Sequence, residues 1–409
     1  MSDRSLINLN WLNLFVAQTQ TGFGAFLSVY LTTHMWTTTD IGFALSVGTV
    51  AVMVAQVPAG ALVDAVPSKR HAAAAAIVVI VAAAMIIAFW PLTGPVLLAQ
   101  VLQGAASCVL TPAIAAITLA LAREDALGER LGGNVRFAAV GSGLAALFMG
   151  ALGTWFSHRA ILYLAAACGL AALGALQGIR AADLEAAATR TGHLAALPKR
   201  ARKHRETPKA DVVCDRCLLT FAACMALFHL GNAAVLPIAA SAITRTGGHG
   251  SDLVVAATII VPQALAALLS PRMGRAAQAW GRRPVLLLGF VALPLRALLF
   301  ATDGDPYLMV AYQALDGISA AVLGVMVPLV VADITRQGGR FNLAMGIVGL
   351  AVGIGATLST LLAGAIADRA GDGVAFVVLG AAGAAACLLA WLALPETTPR
   401  LARTAPRPA

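Results

Sequence analysis

The chain has 409 residues, of which 59% are apolar and 11% charged, and its formal charge is +9. Soluble domains run at about 45–50% apolar and about 25% charged, so the composition excludes an ordinary soluble enzyme, a disordered chain, a collagen-like chain and a secreted disulfide scaffold. A membrane-crossing helix takes about 20 residues, and this length accommodates a dozen of them with short loops.

The apolar stretches predict helical spans at 10–32, 41–63, 72–90, 96–121, 136–155, 160–179, 217–241, 253–271, 284–301, 307–332, 342–364 and 374–394. Nothing alternates with the period of a membrane barrel. The start, MSDRSLINLNWLNLF, is broken by Asn8, Asn10 and Asn13 where a cleavable signal would be uniformly apolar, so the first span is expected to remain. On that span Asn13 and Gln20, seven apart, share a face. After span 2 the chain reads Gly60-Ala-Leu-Val-Asp64-Ala-Val-Pro67-Ser-Lys69-Arg70. Span 4 carries Gln100, Gln103, Ser107 and Thr111 at i, i+3, i+7 and i+11, one continuous helical stripe.

Between spans 6 and 7 lies the one long polar segment, 181–216, with a Lys/Arg cluster at 199–209 that reads as a linker first and an anionic-lipid contact second. His229 and Asn232 share a face of span 7. His229 is either a titrating partner of Asp316 or a satisfied structural donor. The stretch after span 8 holds Gly274, Gln278, Gly281, Arg282 and Arg283. Arg296 sits about five residues from the outer end of span 9, where snorkelling to the interface and a role in a cavity fit equally well. Span 10 carries Tyr312, Gln313, Asp316 and Ser319. Asp316 is about nine residues in, ~14 Å from the outer end at 1.5 Å per residue, and an ionisable group at that depth is a functional candidate by default. It suits proton coupling or direct contact with a substrate; a structural hydrogen bond is the rival reading. Packing between helices is the rival for the amides. Gly349, Gly353 and Gly355 on span 11 suit close helix approach, and residues 395–409 form a tail.

The basic residues orient the chain. With both termini cytoplasmic, 24 of the 28 Lys and Arg fall on inner loops and ends and only Arg159, Arg245 and Arg369 outside. Charge spread over separate loops is no nucleic-acid face. The chain also repeats itself. Gln100-Val-Leu-Gln-Gly104 matches Gln313-Ala-Leu-Asp-Gly317, which makes Gln103 and Asp316 equivalent, and GGNVRF at 132–137 corresponds to GGRF at 338–341. The expected organisation is a six-helix bundle over 1–180, a cytoplasmic linker over 181–216, a second six-helix bundle over 217–394 and a cytoplasmic tail.

These features together resemble the major facilitator superfamily. Twelve spans as six plus six, the long central loop and the loop signature Gly-x-x-x-Asp-x-x-Gly-x-Arg/Lys-Arg/Lys carry the likeness, which covers essentially the whole chain. Pro67 replaces the signature's glycine in the first half, Gln278 replaces its acid in the second, and Gly364-Ala-Ile-Ala-Asp368-Arg369 is a fainter echo. The resemblance implies an all-α integral membrane fold of two pseudo-symmetric bundles, with spans 1, 4, 7 and 10 lining a cavity and Gln103 facing Asp316 across it. It also implies a gating role for Gly60, Asp64, Lys69 and Arg70 and for Gly274, Gln278, Gly281, Arg282 and Arg283, the Asp facing the start of span 11. A carboxylate is stabilised at a helix N-terminus, whereas Gln278 brings no charge, so the two latches are expected to be unequal and Asp64→Asn to favour the inward-open state. Two marks of the family's proton-coupled drug exporters are missing: an Arg where Gln100 stands, and Gly-Pro spacing where span 5 reads Ala-Val-Gly141-Ser-Gly143-Leu.

The expected function is secondary active transport of a small organic solute across the bacterial inner membrane by alternating access, with a proton as coupling ion and export leading slightly over import. A proton-coupled importer or facilitator, or a non-transporting receptor or scaffold on the same fold, is the alternative. Neutral, polar or cationic solutes suit the polar residues better than multivalent anions. No ATP-binding loop is present, Cys214 and Cys217 have no second pair for a metal, and neither cofactor, metal nor enzymatic activity is expected. The expected partners are the solute, the proton and membrane lipid, around a monomer.

Overall fold

The computed structural model describes residues 3–23, 25–36, 38–123, 126–180, 183, 212, 215–245, 251–302, 305–336 and 340–397. Most of the 181–216 linker, with the basic cluster at 199–209, lies outside the described residues, as do Cys214 and the tail beyond 397. The long elements are α1 (Asp3–Thr21), α2 (Ala25–Thr33), α3 (Thr38–Ala65), α4 (Lys69–Phe89), α5 (Thr93–Leu121), α6 (Leu127–Trp155), α7 (His158–Gln177), α8 (Arg216–Asn232), α9 (Val235–Arg245), α10 (Ser251–Ala279), α11 (Arg282–Thr302), α12 (Pro306–Tyr312), α13 (Ala314–Thr335), α14 (Phe341–Ala370) and α15 (Asp372–Ala393).

Among the described residues ten segments are long and apolar enough to cross a membrane, counting α8 with the start of α9, and α12 with α13, as single spans. The other two predicted spans, 10–32 and 253–271, fall on α1 with α2 and on α10. Their polar content explains why they stand apart: α1 carries three Asn and two Gln, and α10 carries two Pro and two Arg. Helix starts follow local chemistry. The Asp305 carboxylate accepts from the N–H groups of Tyr307 and Leu308 at 2.8 and 3.0 Å with Pro306 at the first helical position, and Asp215 accepts from Leu218 N–H at 2.8 Å. Side chains such as Val54, Leu62, Leu147, Leu170, Leu268 and Leu392 stand exposed on the outer faces. Helices apolar on both the packed and the outward face are what a lipid-immersed bundle requires.

The chain divides into two compact units. The first comprises Met1–Arg123, Gly133–Arg205 and Met345–Leu350, and the second Glu124–Gly132, Glu206–Ala344 and Ala351–Ala409. In the first, α5 packs against α3 and α4, and α7 against α1 and α4. Leu12, Ile77, Ile80, Ile87, Leu110 and Leu162 fill the space between them. In the second, α11 packs against α13 and α15, α8 against α15, and α10 against α13.

The signature residues lie mainly on helix ends rather than in free loops. Gly60 and Asp64 are in the last turns of α3, Lys69 and Arg70 open α4, and Gly274 and Gln278 are in the last turns of α10. α3 and α10 thus run past the predicted spans 41–63 and 253–271. Lys69 Nζ donates to the carbonyl oxygens of Val63, Asp64 (3.2 Å) and Val66 (3.0 Å), closing the C-terminal turn of α3 with a cation. Arg70 donates to Gln177 O at 3.0 Å, at the end of α7.

Candidate functional site

Among the described residues of the second unit, the most deeply buried charge is Arg296. It lies two residues beyond Pro294 on α11, and its side chain is 2% exposed, so the guanidinium does not reach the outer interface. Its Nη1 forms an ion pair with Asp316 Oδ1 and donates to Gln313 Oε1 at 2.9 Å, and its Nη2 donates to Asn232 Oδ1 at 2.6 Å. Three helical segments thus meet on one guanidinium: the end of α8, α11, and the junction between α12 and α13. A cation taken out of water is tolerated only with this kind of pairing and hydrogen bonding.

The local backbone explains why Asp316 stands where it does. Gln313 is the single residue between α12 and α13, and its carbonyl accepts from the N–H groups of Asp316 (3.0 Å) and Gly317 (3.3 Å). Gly317 faces α10 at a close crossing, where a Cβ would come within 2.6 Å of Leu265 Cβ and 2.8 Å of Pro262 O. Two residues further on, buried Ser319 donates to Gly289 O on α11 at 2.8 Å. Asp316 is therefore held from two sides, and its carboxylate remains 28% exposed while the guanidinium behind it is sealed.

Of the expected residues, Asn232, Arg296, Gln313 and Asp316 come together. Three neighbours take other partners. His229 Nδ1 meets Met225 O at 2.9 Å, which makes it the protonated ring nitrogen because a carbonyl only accepts. Tyr312 packs its ring on Phe300 at 6.1 Å, and Ser319 is the α11 clasp just described.

In the first unit the span-4 stripe divides. Gln103 Nε2 donates to Ser107 Oγ at 3.2 Å, both half-buried, and Thr111 is exposed. Gln100 instead turns against α3, where a Cβ on Gly48 would lie 3.1 Å from its Nε2. Asn13 donates to Leu9 O of its own helix at 2.8 Å. Gln20 lines a small, mainly apolar cleft with Val16, Thr19, Ile77, Ile80, Leu110 and Ala172.

Some polar contacts had no counterpart in the sequence reading. Arg282 pairs with Asp333 at 2.8 Å, both nearly buried, and donates to Ala277 O at 2.8 Å. Glu396 accepts from the N–H groups of Arg282 (2.8 Å) and Arg283 (3.1 Å), so the start of the predicted tail caps α11. Asn134 donates to Thr118 Oγ1 at 2.7 Å, and Cys168 Sγ lies 3.4 Å from Gln18 Oε1. An acid just past the cytoplasmic end of span 10 was the available signal for Asp333. Glu396 followed the last span and offered none.

The pattern of the Major Facilitator Superfamily matches residues 9–228 and again 217–409. The chain belongs to the major facilitator superfamily. It is 35% identical over 406 residues to an MFS-type transporter of Mycobacterium tuberculosis found in strains CDC 1551 and H37Rv, which covers 98% of this chain and 95% of the relative. Among solved structures it is similar to the MFS proton:xylose symporter XylE bound to 6-bromo-6-deoxy-D-glucose, with a TM-score of 0.75 at 14% identity over 96% of this chain and 95% of that one. A double Trp mutant of XylE gives 0.77 at 13% identity over 98% and 97%. The Escherichia coli fucose:proton symporter FucP gives 0.71 at 12% identity over 94% and 97%. At these identities the structures establish the fold. The MFS protein described here is accordingly an all-helical, multi-pass membrane transporter of a solute, not an enzyme.

Proposed function

We propose that this transporter moves a small organic solute by alternating access of its two halves, 1–180 and 217–394, and that proton binding at Asp316 couples the cycle to the proton gradient. The observation that carries the reading is the Arg296–Asp316 ion pair with Gln313 and Asn232 as the remaining partners. With Asp316 ionised, the pair is neutral and ties α13 to α11. With Asp316 protonated, the guanidinium keeps only two amide oxygens, and the tie between the helices weakens. An equilibrium between two arrangements that a proton biases is the physical content of coupling. The names of XylE and FucP as proton symporters add support, as does the partly open carboxylate, which a proton can reach.

The Mycobacterium tuberculosis relative supports a bacterial inner membrane, and the distribution of Lys and Arg supports both termini on its cytoplasmic side. The export preference of the sequence rests on the likeness of the spans alone. Direction is set by the gradients, and Arg296 and Asp316 serve either sense.

Uptake and efflux in proteoliposomes with an imposed pH gradient test the proposal. A panel of sugars, amino acids, amines and carboxylates supplies the solutes. At least one flux is expected to follow the gradient in the wild type and to ignore it in Asp316→Asn. Flux indifferent to the gradient in both proteins would overturn the coupling.

A further inference from the structure

Among the described residues, two donors in this cluster have no acceptor. Arg296 Nε and Gln313 Nε2 are both buried and both without a hydrogen-bond partner. Gln313 cannot be turned over to relieve this, because its Oε1 is already engaged by Arg296 Nη1. Gln313 is 0% exposed and Arg296 2%. Asp316 Oδ1 pairs with the guanidinium at Nη1, so the carboxylate does not engage Nε. An arginine prefers to hold a carboxylate with two parallel N–H groups, and Nε with a terminal nitrogen is one of its forks. Here that fork is left open.

The charges point the same way. Arg296 and Asp316 together are neutral, so protonation of Asp316 leaves one uncompensated buried cation. Asn232 and Gln313 offer it oxygen dipoles but no charge. A single anion restores neutrality and fills the empty positions, taking one hydrogen bond from Nε and one from Gln313 Nε2. A dianion would leave an excess negative charge among apolar helices.

We propose that the cargo carries a single carboxylate, which takes the place of Asp316 at the Arg296 guanidinium once Asp316 has taken up a proton. This rests on the coupling reading above and adds the substrate class: proton and anion are bound together and released together. The proton comes from the aqueous side reached by the half-open Asp316 carboxyl, remains on that carboxyl while the anion is bound, and leaves as the ion pair re-forms. Around Asp316, α11 contributes Arg296, α8 contributes His229, and Tyr312 closes α12. On α10, which packs against Gly317, no titratable side chain occurs between Asp252 and Arg272. His229 is the histidine carried by α8, and His229→Gln is the control that isolates the acid.

Thermal unfolding of the purified full-length protein tests this, with acetate, lactate, benzoate and succinate as probes and acetamide, lactamide and benzamide as uncharged controls. At about pH 5 a monocarboxylate is expected to raise Tm where its amide does not. Its apparent Kd is expected to weaken as pH rises, by up to about tenfold per pH unit, because only the protein with a protonated Asp316 binds the anion. Asp316→Asn mimics the protonated acid and is expected to bind as tightly at about pH 8 as at about pH 5. Arg296→Gln combined with Asp316→Asn keeps the cluster neutral and is expected to lose the Tm shift. No shift from any carboxylate, an equal shift from the amides, or binding that survives in the double variant would overturn the proposal. Gradient-driven flux of a neutral solute alongside such a failure leaves the coupling reading standing. Carboxylate binding beside gradient-indifferent flux removes the coupling and keeps the anion site.

Discussion

Asp316 Oδ1 is paired with Arg296 Nη1 across the contact between α13 and α11, the acid 28% exposed and the guanidinium behind it 2%. The difference in exposure matters more than the pairing itself. A carboxylate that is reachable while its cation is not can exchange a proton without the cation ever meeting water, and that is the arrangement a proton-biased tie between two helices requires.

Removing one partner of this pair should cost far more than removing both. Arg296→Ala leaves Asp316, Gln313 and Asn232 facing an empty position, and a loss of about 3–5 kcal/mol is expected. Arg296→Gln with Asp316→Asn replaces the ions by amides that can bond one another, and its loss should be clearly smaller. Thermal or denaturant unfolding of Arg296→Gln, Asp316→Asn and the double variant in detergent gives the coupling energy directly. Additive losses would mean that the two charges act independently.

Gly317 positions the acid. A Cβ there would meet Leu265 Cβ and the Pro262 carbonyl at 2.6 and 2.8 Å, neither of which is the free end of a flexible side chain. Gly317→Ala is expected to destabilise by about 1–3 kcal/mol and to reduce transport more than Ile318→Ala at the half-buried neighbouring position. Unfolding measurements and flux on the same preparation check both effects. Wild-type flux in Gly317→Ala would show that α13 can shift on α10 without moving Asp316 out of register.

Glu396 caps α11 and is joined to the arginine pair of the loop signature. Its carboxylate accepts from the N–H groups of Arg282 and Arg283, beside Gly281 at φ +102°, a conformation that favours glycine. Glu396→Ala removes two charge-assisted bonds at a helix N-terminus and is expected to cost about 1–2 kcal/mol. Glu396→Gln keeps an acceptor and should cost less. Hydrogen exchange at the amides of 282–283 reads the cap locally, and unchanged protection in Glu396→Ala would contradict it.

The sequence disclosed the fold and the acid for the same reason: both stand out against an apolar background. Helical spans are legible because the bilayer demands continuous apolar length, and Asp316 because an acid in such a stretch is costly. Its partner was not legible. Arg296 lies twenty residues earlier on another span, and periodicity says which face of a helix a residue occupies but not which neighbour covers that face. Gln100 illustrates the limit from the other side. It continues the stripe of Gln103 and Ser107, yet it turns against Gly48 because α3 covers that edge of the helix. Glu396 was read as tail because its role depends on a return of the chain to α11 that no local pattern signals.

The central claim is that protons move with the solute through Asp316, and the most direct measurement is lumenal pH in proteoliposomes after solute is added without an imposed gradient. With the wild type, solute entering down its own gradient is expected to carry protons and to acidify the lumen. With Asp316→Asn, solute exchange should persist while lumenal pH stays constant. Equal acidification by the two proteins would contradict the account.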